Sequence, residues 1–313
     1  MFQAIASRTA NYIYHMLSVA KCGYDNAYGA AARPFHRQAD VERLFEFRKH
    51  IMVNGGEHCG ELYGLCVATP ACFEEDADML FYFEAIQDLF SRGVLQQNFS
   101  EFSVIYQKAF GDMWGIEITL PSLAEFYQSC LPLKTELLEI VRIFREKYSV
   151  YVDRFWEDTR SQLERVCEAL NARFQNTRYM EQWEAMLHTR YQYRDFYLVL
   201  CNSIQDGPQA IDIAAQKDIF ALPQDPETFA ALASHEFGIY LLKELLADTG
   251  AFHHHHYYHQ VEALAEFYNR KICGGYTCFA WDEDALRQYQ ALYEENPQIT
   301  AKEMFLAVTG REK

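Results

Sequence analysis

The sequence predicts a predominantly helical α+β protein with a small antiparallel sheet in its C-terminal part. Apolar residues recur at helical spacing along most of the chain, whereas one region, 196–221, is rich in β-branched and aromatic residues around turn residues. The 313 residues are 50% hydrophobic and 23% charged, a balance that allows a large core. At about 150 residues per domain, this length suggests two parts. We expect a helical region over 1–190 and a second region over 191–313.

Helical spacing dominates the first region. Apolar residues at this spacing predict helices over 9–20, 39–52, 74–91, 98–110 and 121–130. Between the second and third of these helices, residues 54–70 contain four glycines, which predicts a loop with one short turn.

The longest regular pattern runs from Leu133 to Phe174. Apolar or semi-apolar residues recur there on average every 3.7 residues. Such a rhythm is typical of a long, nearly straight helix that packs along one face. We expect a core stripe, and a break in the helix would fall near Ser149.

The second region contains the strand signals. A helix is expected around 179–190, followed by a strand over 196–204 and turn residues at Asp206-Gly207-Pro208. Residues 210–214 and 217–221 are then expected to add strands antiparallel to the first strand.

Helix-start and helix-stop residues define the rest of the second region. Asp225 is a good N-cap, Pro226 suits the first helical position and Gly250 is a plausible end, so one helix should cover 226–248. Further helices are expected over 258–271, 282–293 and 300–309. Thr300 and Glu303 have the spacing of a capping box at the start of the last helix.

The charge balance excludes two classes of partner. Acidic residues outnumber basic ones by 44 to 28, which gives a formal charge of −16. Binding to nucleic acid or to an anionic membrane needs a basic surface, so we expect neither partner.

Two further features bear on the cellular compartment. No stretch approaches the roughly 18 uninterrupted apolar residues of a membrane span, and residues 1–21 lack the pattern of a secretion signal. The nine cysteines include no CxxC pair, which favours reduced thiols. We therefore expect a cytoplasmic protein.

One constellation points to chemistry. His235-Glu236 lies in the middle of the predicted helix 226–248, and Glu262 and Glu266 lie on the next predicted helix. With the preceding strands, this order resembles the gluzincin branch of zinc metallopeptidases and implies a zincin-like C-terminal part. The resemblance covers roughly residues 190–272. It implies that His235 and Glu262 are zinc ligands, that Glu236 is the catalytic general base, and that Glu266 supports the site or replaces Glu262 as ligand.

The sequence departs from the HExxH pattern of that family at residue 239. In that pattern two imidazoles four residues apart lie on one helix face and bind one zinc ion. Here the second position is Ile239, and the same face of the helix offers no other suitable ligand. Either an imidazole of the cluster 253–259 replaces the missing ligand, with His254, His255 and His259 as candidates, or the zinc site has decayed.

Two functions remain open from the sequence. The first is a zincin-like metallopeptidase homologue, either a divergent zinc-dependent hydrolase or an inactive relative, that hydrolyses or binds peptide in a cleft beside an edge strand. Its partner would be a peptide or protein. The alternative is a metal-free helical protein that interacts with other proteins and whose His-Glu pair is structural.

Overall fold

The protein is described by a computed structural model over residues 1–54, 58–205, 210–214, 216–251, 257–274 and 282–310. Helices account for most of these residues, and they surround one small four-stranded sheet. The predominantly helical α+β class is therefore confirmed.

The sheet is mixed, not antiparallel. Its strands are β1 (Phe2–Ile5), β4 (Phe196–Cys201), β5 (Ala210–Ala214) and β6 (Lys217–Ala221), in the order β1-β4-β6-β5. The numbers β2 and β3 belong to a separate hairpin of Val53–Asn54 with His58–Cys59. Both neighbours of β4 run parallel to it, and only β5 and β6 are antiparallel to each other.

Our prediction of an antiparallel sheet was therefore wrong. We expected 217–221 to run antiparallel to β4, but two chain reversals separate β6 from β4 and restore the original direction. We also missed β1, because four residues are too few to show a period.

The first half of the chain is almost entirely helical. Its helices are α1 (Arg8–Val19), α2 (Ala27–Ala32), α3 (Gln38–Glu46), α4 (Arg48–Ile51), α5 (Thr69–Cys72), α6 (Asp76–Arg92), α7 (Gln96–Tyr106) and α8 (Leu120–Cys130). Short 3₁₀ turns cover Arg33–Phe35, Asp112–Trp114 and Leu131–Leu133, and π-helical turns cover Gly64–Ala68 and Gln107–Gly111. The segment 54–70, expected to be mostly loop, thus contains β3 and part of α5.

The predicted long helix is present over 134–174. It consists of α9 (Lys134–Tyr151), a π-helical turn at Val152–Trp156 and α10 (Glu157–Phe174). The irregularity begins three residues after Ser149 and does not interrupt the helical path. Single π-helical turns of this kind add one residue to a helical turn.

The C-terminal helices follow their capping signals. They are α11 (Tyr179–Leu187), α12 (Pro226–Leu245), α13 (Tyr258–Ile272), α14 (Glu283–Glu295) and α15 (Ala301–Thr309), with a 3₁₀ turn at Ala247–Thr249. The side chain of Asp225 accepts a hydrogen bond from the backbone N–H of Thr228 at 2.7 Å. Thr300 and Glu303 form the expected capping box.

The core joins the sheet to helices from both ends of the chain. The ring of Phe2 on β1 lies 5.4 Å from that of Phe174 on α10, 6.0 Å from Phe196 on β4 and 5.5 Å from Phe237 on α12. One face of the sheet therefore packs against both α10 and α12. Because β1 belongs to the first predicted region and the other three strands to the second, these regions share one sheet; their boundary at residue 190 stays a prediction.

Candidate functional site

The imidazole of His235 is sealed inside the protein. His235 lies in the middle of α12 and its side chain is 0% exposed. Three residues later, Gly238 allows close approach of α11, since a Cβ atom there would lie 2.3 Å from the Trp183 ring. Trp183 is itself fixed by a hydrogen bond of 2.9 Å from its Nε1–H to Oγ of Ser234.

Two carboxylates from α13 face the two nitrogens of this imidazole. Nε2 of His235 lies 2.8 Å from Oε2 of Glu262, and Nδ1 lies 3.5 Å from Oε2 of Glu266. The two glutamates share one face of α13 because they are four residues apart. Arg270, four residues further on, donates from Nε to Oε1 of Glu266 at 2.9 Å. The structure thus brings together the two residues that the resemblance names as zinc ligands.

This ion network favours a protonated imidazole. Burial alone would lower the pKa of His235, but the hydrogen bonds of Glu262 and Glu266, with the charges of Glu262 and Glu236, outweigh burial and raise it to about 10. An imidazolium donates from both nitrogens and has no lone pair for a metal ion. Two positive groups, His235 and Arg270, then balance the two carboxylates.

Tyr258 extends the network at the start of α13. Its hydroxyl lies beside Glu262, and burial together with that carboxylate raises the pKa of the phenol. The carboxylate of Glu262 thus lies between an imidazole and a phenol, two groups that donate hydrogen bonds.

The described residues do not fit the zinc site that the resemblance implies. A catalytic zinc ion needs three protein ligands and an open position. Only His235 Nε2 and Glu262 share one side of the ring, Glu266 lies on the other side, and Ile239 is apolar and buried. Over the ranges described above, no three His, Cys, Asp or Glu side chains are placed to hold one ion.

The proposed replacement ligands are only partly covered by the structure. His254 and His255 lie outside the described residues. His259 is exposed on the first turn of α13, with its ring centroid 5.8 Å from that of Tyr258. His259 is thus a surface residue, while His235 is sealed.

Glu236 faces a different group of residues. It is partly exposed, and its charged neighbours include Asp212 on β5 and Lys243 on α12. Burial, with the nearby Glu262 and Asp212 carboxylates, raises the pKa of Glu236 to about 7, although His235 and Lys243 oppose the shift. A carboxyl with this pKa can exchange a proton at neutral pH, which is what a general base needs.

Asp218 on β6 belongs to the same group, and sequence reasoning missed it. It is 4% exposed, and burial followed by the charges of Asp212 and Glu236 raises its pKa well above the ordinary value. The signal was an acidic residue two positions before Phe220 in a predicted strand, and therefore on the same side of the strand as that apolar ring.

Two grooves of the described surface lie away from His235 and Glu236. They have volumes of about 480 and 690 Å³ and share Phe73, Glu74, Tyr197 and Lys217. Tyr197 and Lys217 are register partners and lie on the opposite face of the sheet from Phe196 and Asp218, since successive strand residues alternate. Neither groove includes His235 or Glu236.

Comparison with protein-family models, with curated proteins and with solved structures gives no match to this chain. Among the residues that the structure describes, no helix has both the length and the apolar character that a membrane crossing requires.

Proposed function

We propose that this protein is a zincin-like metallopeptidase homologue whose zinc site has decayed and which binds an extended peptide without zinc-dependent hydrolysis. The observation that carries this proposal is the state of His235, the residue at the position of the first zinc ligand. It is sealed, and carboxylates engage both of its ring nitrogens.

The order of the elements supports the zincin-like part of the proposal. The helix α11 is followed in the chain by three strands, the helix that carries His235-Glu236 and the helix that carries Glu262. The 2.8 Å contact between His235 and Glu262 joins the two helices at the residues that the resemblance singles out. In this proposal, an ion network of His235, Glu262 and Glu266 takes the place of the zinc ion that the resemblance implies.

The free edge of the sheet supports peptide binding. The groove expected beside 196–204 cannot accept an added strand, because β4 is paired on both sides. In the described sheet, β5 ends the order on the side of β6 and pairs with β6 alone. Cys72 on α5 contacts the carbonyl of Ile213 at 3.3 Å, and Asp212 is the exposed residue of β5, so the peptide of this proposal would pair with Ala210–Asp212. An exposed strand edge offers backbone groups to an extended peptide.

Zinc content tests the loss of the metal site. Protein purified without a histidine tag should contain far less than one zinc per chain, and His235→Ala should not change that content. His259→Ala is the matched control for an exposed histidine. About one zinc per chain, lost in both His235→Ala and Glu262→Ala, would overturn the proposal.

Peptide binding is tested by fluorescence anisotropy with a pool of fluorescein-labelled, random eight-residue peptides. Binding that weakens when the peptides are N-methylated at alternate residues supports strand addition, because N-methylation removes backbone donors. If no peptide of the pool binds, this result favours the alternative function. In that case the protein is a metal-free helical interaction protein, and the charge-balanced contacts of His235 serve only to join α12 to α13.

A further inference from the structure

The larger of the two grooves lies on the face of the sheet that is turned away from α12. Its volume of about 690 Å³ falls within the range of roughly 300–1,000 Å³ that is usual for small-molecule sites. The sheet contributes Tyr197 and Lys217 to its lining, and the rest comes mainly from the start of α6 and from the turn Asp112–Trp114. We call this cavity the sheet-face groove.

The lining of the sheet-face groove combines aromatic rings with an excess of negative charge. The aromatic side chains among its described residues are Phe73, Phe81, Trp114, Tyr193 and Tyr197. Carboxylates outnumber ammonium groups there by four to two, with Glu74, Glu75, Asp78 and Asp112 against Lys108 and Lys217. The face of an aromatic ring attracts a cation, and a concave surface with an excess of carboxylates raises the local concentration of cations. The groove therefore favours a positively charged ligand.

One of the protein's own ammonium groups is already bound in this way. Nζ of Lys108 lies 5.0 Å from the centroid of the Phe81 ring and 3.2 Å from Oδ1 of Asp78. A ring and a carboxylate of the groove thus hold one ammonium group together. Within the part of the chain that the structure describes, no cation of the protein lies over the rings of Trp114 and Tyr197. These two rings are available to a ligand.

We propose that the sheet-face groove binds a small organic cation with a quaternary ammonium group. The alkyl groups of such a cation make it weakly hydrated, so it can lie against aromatic rings at a small desolvation cost. This site is independent of the proposed binding of a peptide at β5.

Two other kinds of cation fit the groove less well. A primary ammonium would depend on ion pairs with the carboxylates, but the side chains of Glu74 and Asp78 are 84% and 44% exposed. Ion pairs at such exposed positions contribute little binding free energy. A metal ion needs several ligands around one point, and over the described ranges no three carboxylate, imidazole or thiol side chains are placed to hold one ion.

Calorimetric titration of the full chain with choline tests the proposed ligand chemistry. Choline should bind, whereas 3,3-dimethylbutan-1-ol, which has the same shape without the charge, should bind about tenfold more weakly or not at all. Ethanolamine keeps the charge but lacks the methyl groups, and we expect a similar loss for it. The absence of choline binding, or equal binding of choline and its neutral analogue, would overturn the site.

Variants test whether choline binds in the sheet-face groove. Trp114→Ala should weaken choline binding about tenfold. Phe45→Ala is the matched control on α3, since Phe45 is 41% exposed and Trp114 is 43% exposed. Lys108→Met should tighten binding because it removes a competing ammonium group, whereas Lys302→Met, at an exposed lysine on α15, should not. Unchanged choline binding in Trp114→Ala or in Lys108→Met, with wild-type circular dichroism, would overturn the site.

Two further titrations separate a free small molecule from a larger carrier of the same group. A labelled peptide with one trimethyllysine should bind no more tightly than choline, and vesicles of phosphatidylcholine should not sediment the protein. Binding of the trimethyllysine peptide more than about tenfold tighter than that of choline would contradict a small-molecule site and assign the groove to a modified side chain. Sedimentation with the vesicles that Trp114→Ala abolishes would contradict it in favour of a lipid head group.

Discussion

His235 determines how the candidate site is interpreted. From the sequence, helical spacing placed His235 and Glu262 on successive helices, and the structure brings them to 2.8 Å. Spacing could not reveal that Glu266 reaches the opposite nitrogen or that Arg270 completes the charge balance, because both depend on how α13 is rotated against α12. The protonation state of the imidazole follows from these tertiary contacts.

Replacing His235 should be strongly destabilising. In His235→Gln the buried carboxylate of Glu262 loses its cationic partner and Glu266 keeps only Arg270, and breaking a buried pair typically costs about 3–5 kcal/mol. Urea denaturation at neutral pH measures the loss. His259→Gln, at an exposed histidine, should change the free energy of unfolding by less than about 0.5 kcal/mol. A loss below about 1 kcal/mol for His235→Gln would mean that the network is not structural.

A pair of buried histidines, His15 and His36, should make the protein sensitive to acid. Nε2 of His15 lies 2.9 Å from Nε2 of His36, and Nδ1 of His15 lies 2.7 Å from the Tyr28 hydroxyl. Burial and Lys147 lower the pKa of His36 from 6.5 to about 4, although Asp40 opposes the shift, and burial also lowers that of His15.

Between pH 6.5 and 4, these histidines therefore bind protons in the unfolded chain but not in the folded chain. The stability that the neutral His15 and His36 contribute should be complete above pH 6.5 and fall as the pH drops toward 4. Denaturation at several pH values should show this loss, and His36→Gln should reduce it. An unchanged acid dependence in His36→Gln would contradict the assignment.

The elements that carry local signals were predicted well. The helix starting at Pro226 and the helix starting at Ala301 both follow their capping residues, and the bounds of β5 and β6 agree with the two expected segments. The direction of β6 could not be predicted, because strand pairing depends on which neighbour completes the sheet. The hairpin at 53–59 was missed for a similar reason, since its strands have two residues each.

Gly238 tests the contact between α11 and α12. A glycine inside a helix is normally worse than alanine by about 1 kcal/mol, so Gly238→Ala should stabilise an isolated helix. Here the added Cβ would collide with the rigid Trp183 ring, and we expect a net destabilisation of about 1–3 kcal/mol.

A double-mutant cycle with Trp183→Leu measures this contact directly. Because leucine is smaller than tryptophan and leaves room for the added Cβ atom, Gly238→Ala should reduce the free energy of unfolding much less in that background. The same cost in both backgrounds would show that the loss does not come from the ring.

The whole molecule is organised around a sheet that joins the two ends of the chain. β1 contributes residues 2–5, and the other three strands lie beyond residue 195. Composition and length suggested two regions, but they could not reveal that a strand from the first completes the sheet of the second. The contacts of Phe2 with both α10 and α12 depend on this arrangement.

This arrangement predicts that residues 191–313 do not fold alone. Without β1 and α10, β4 would lose one neighbour and the Phe196 face would keep only the cover of α12. The isolated fragment should show no cooperative thermal transition by circular dichroism, and adding fragment 1–190 should restore one. Cooperative unfolding of 191–313 by itself would establish it as an independent domain.

The protonation state of His235 tests most directly whether an ion network has replaced the zinc site. Nitrogen-15 NMR of the histidine rings at pH 8, with His235→Gln to assign the signal, reports whether each ring nitrogen carries a proton. We expect both nitrogens of His235 to be protonated at this pH, because Glu262 and Glu266 hold the imidazolium. A neutral His235 ring with one unprotonated nitrogen would contradict the ion network. A change in the chemical shifts of this ring when zinc is added would contradict it as well.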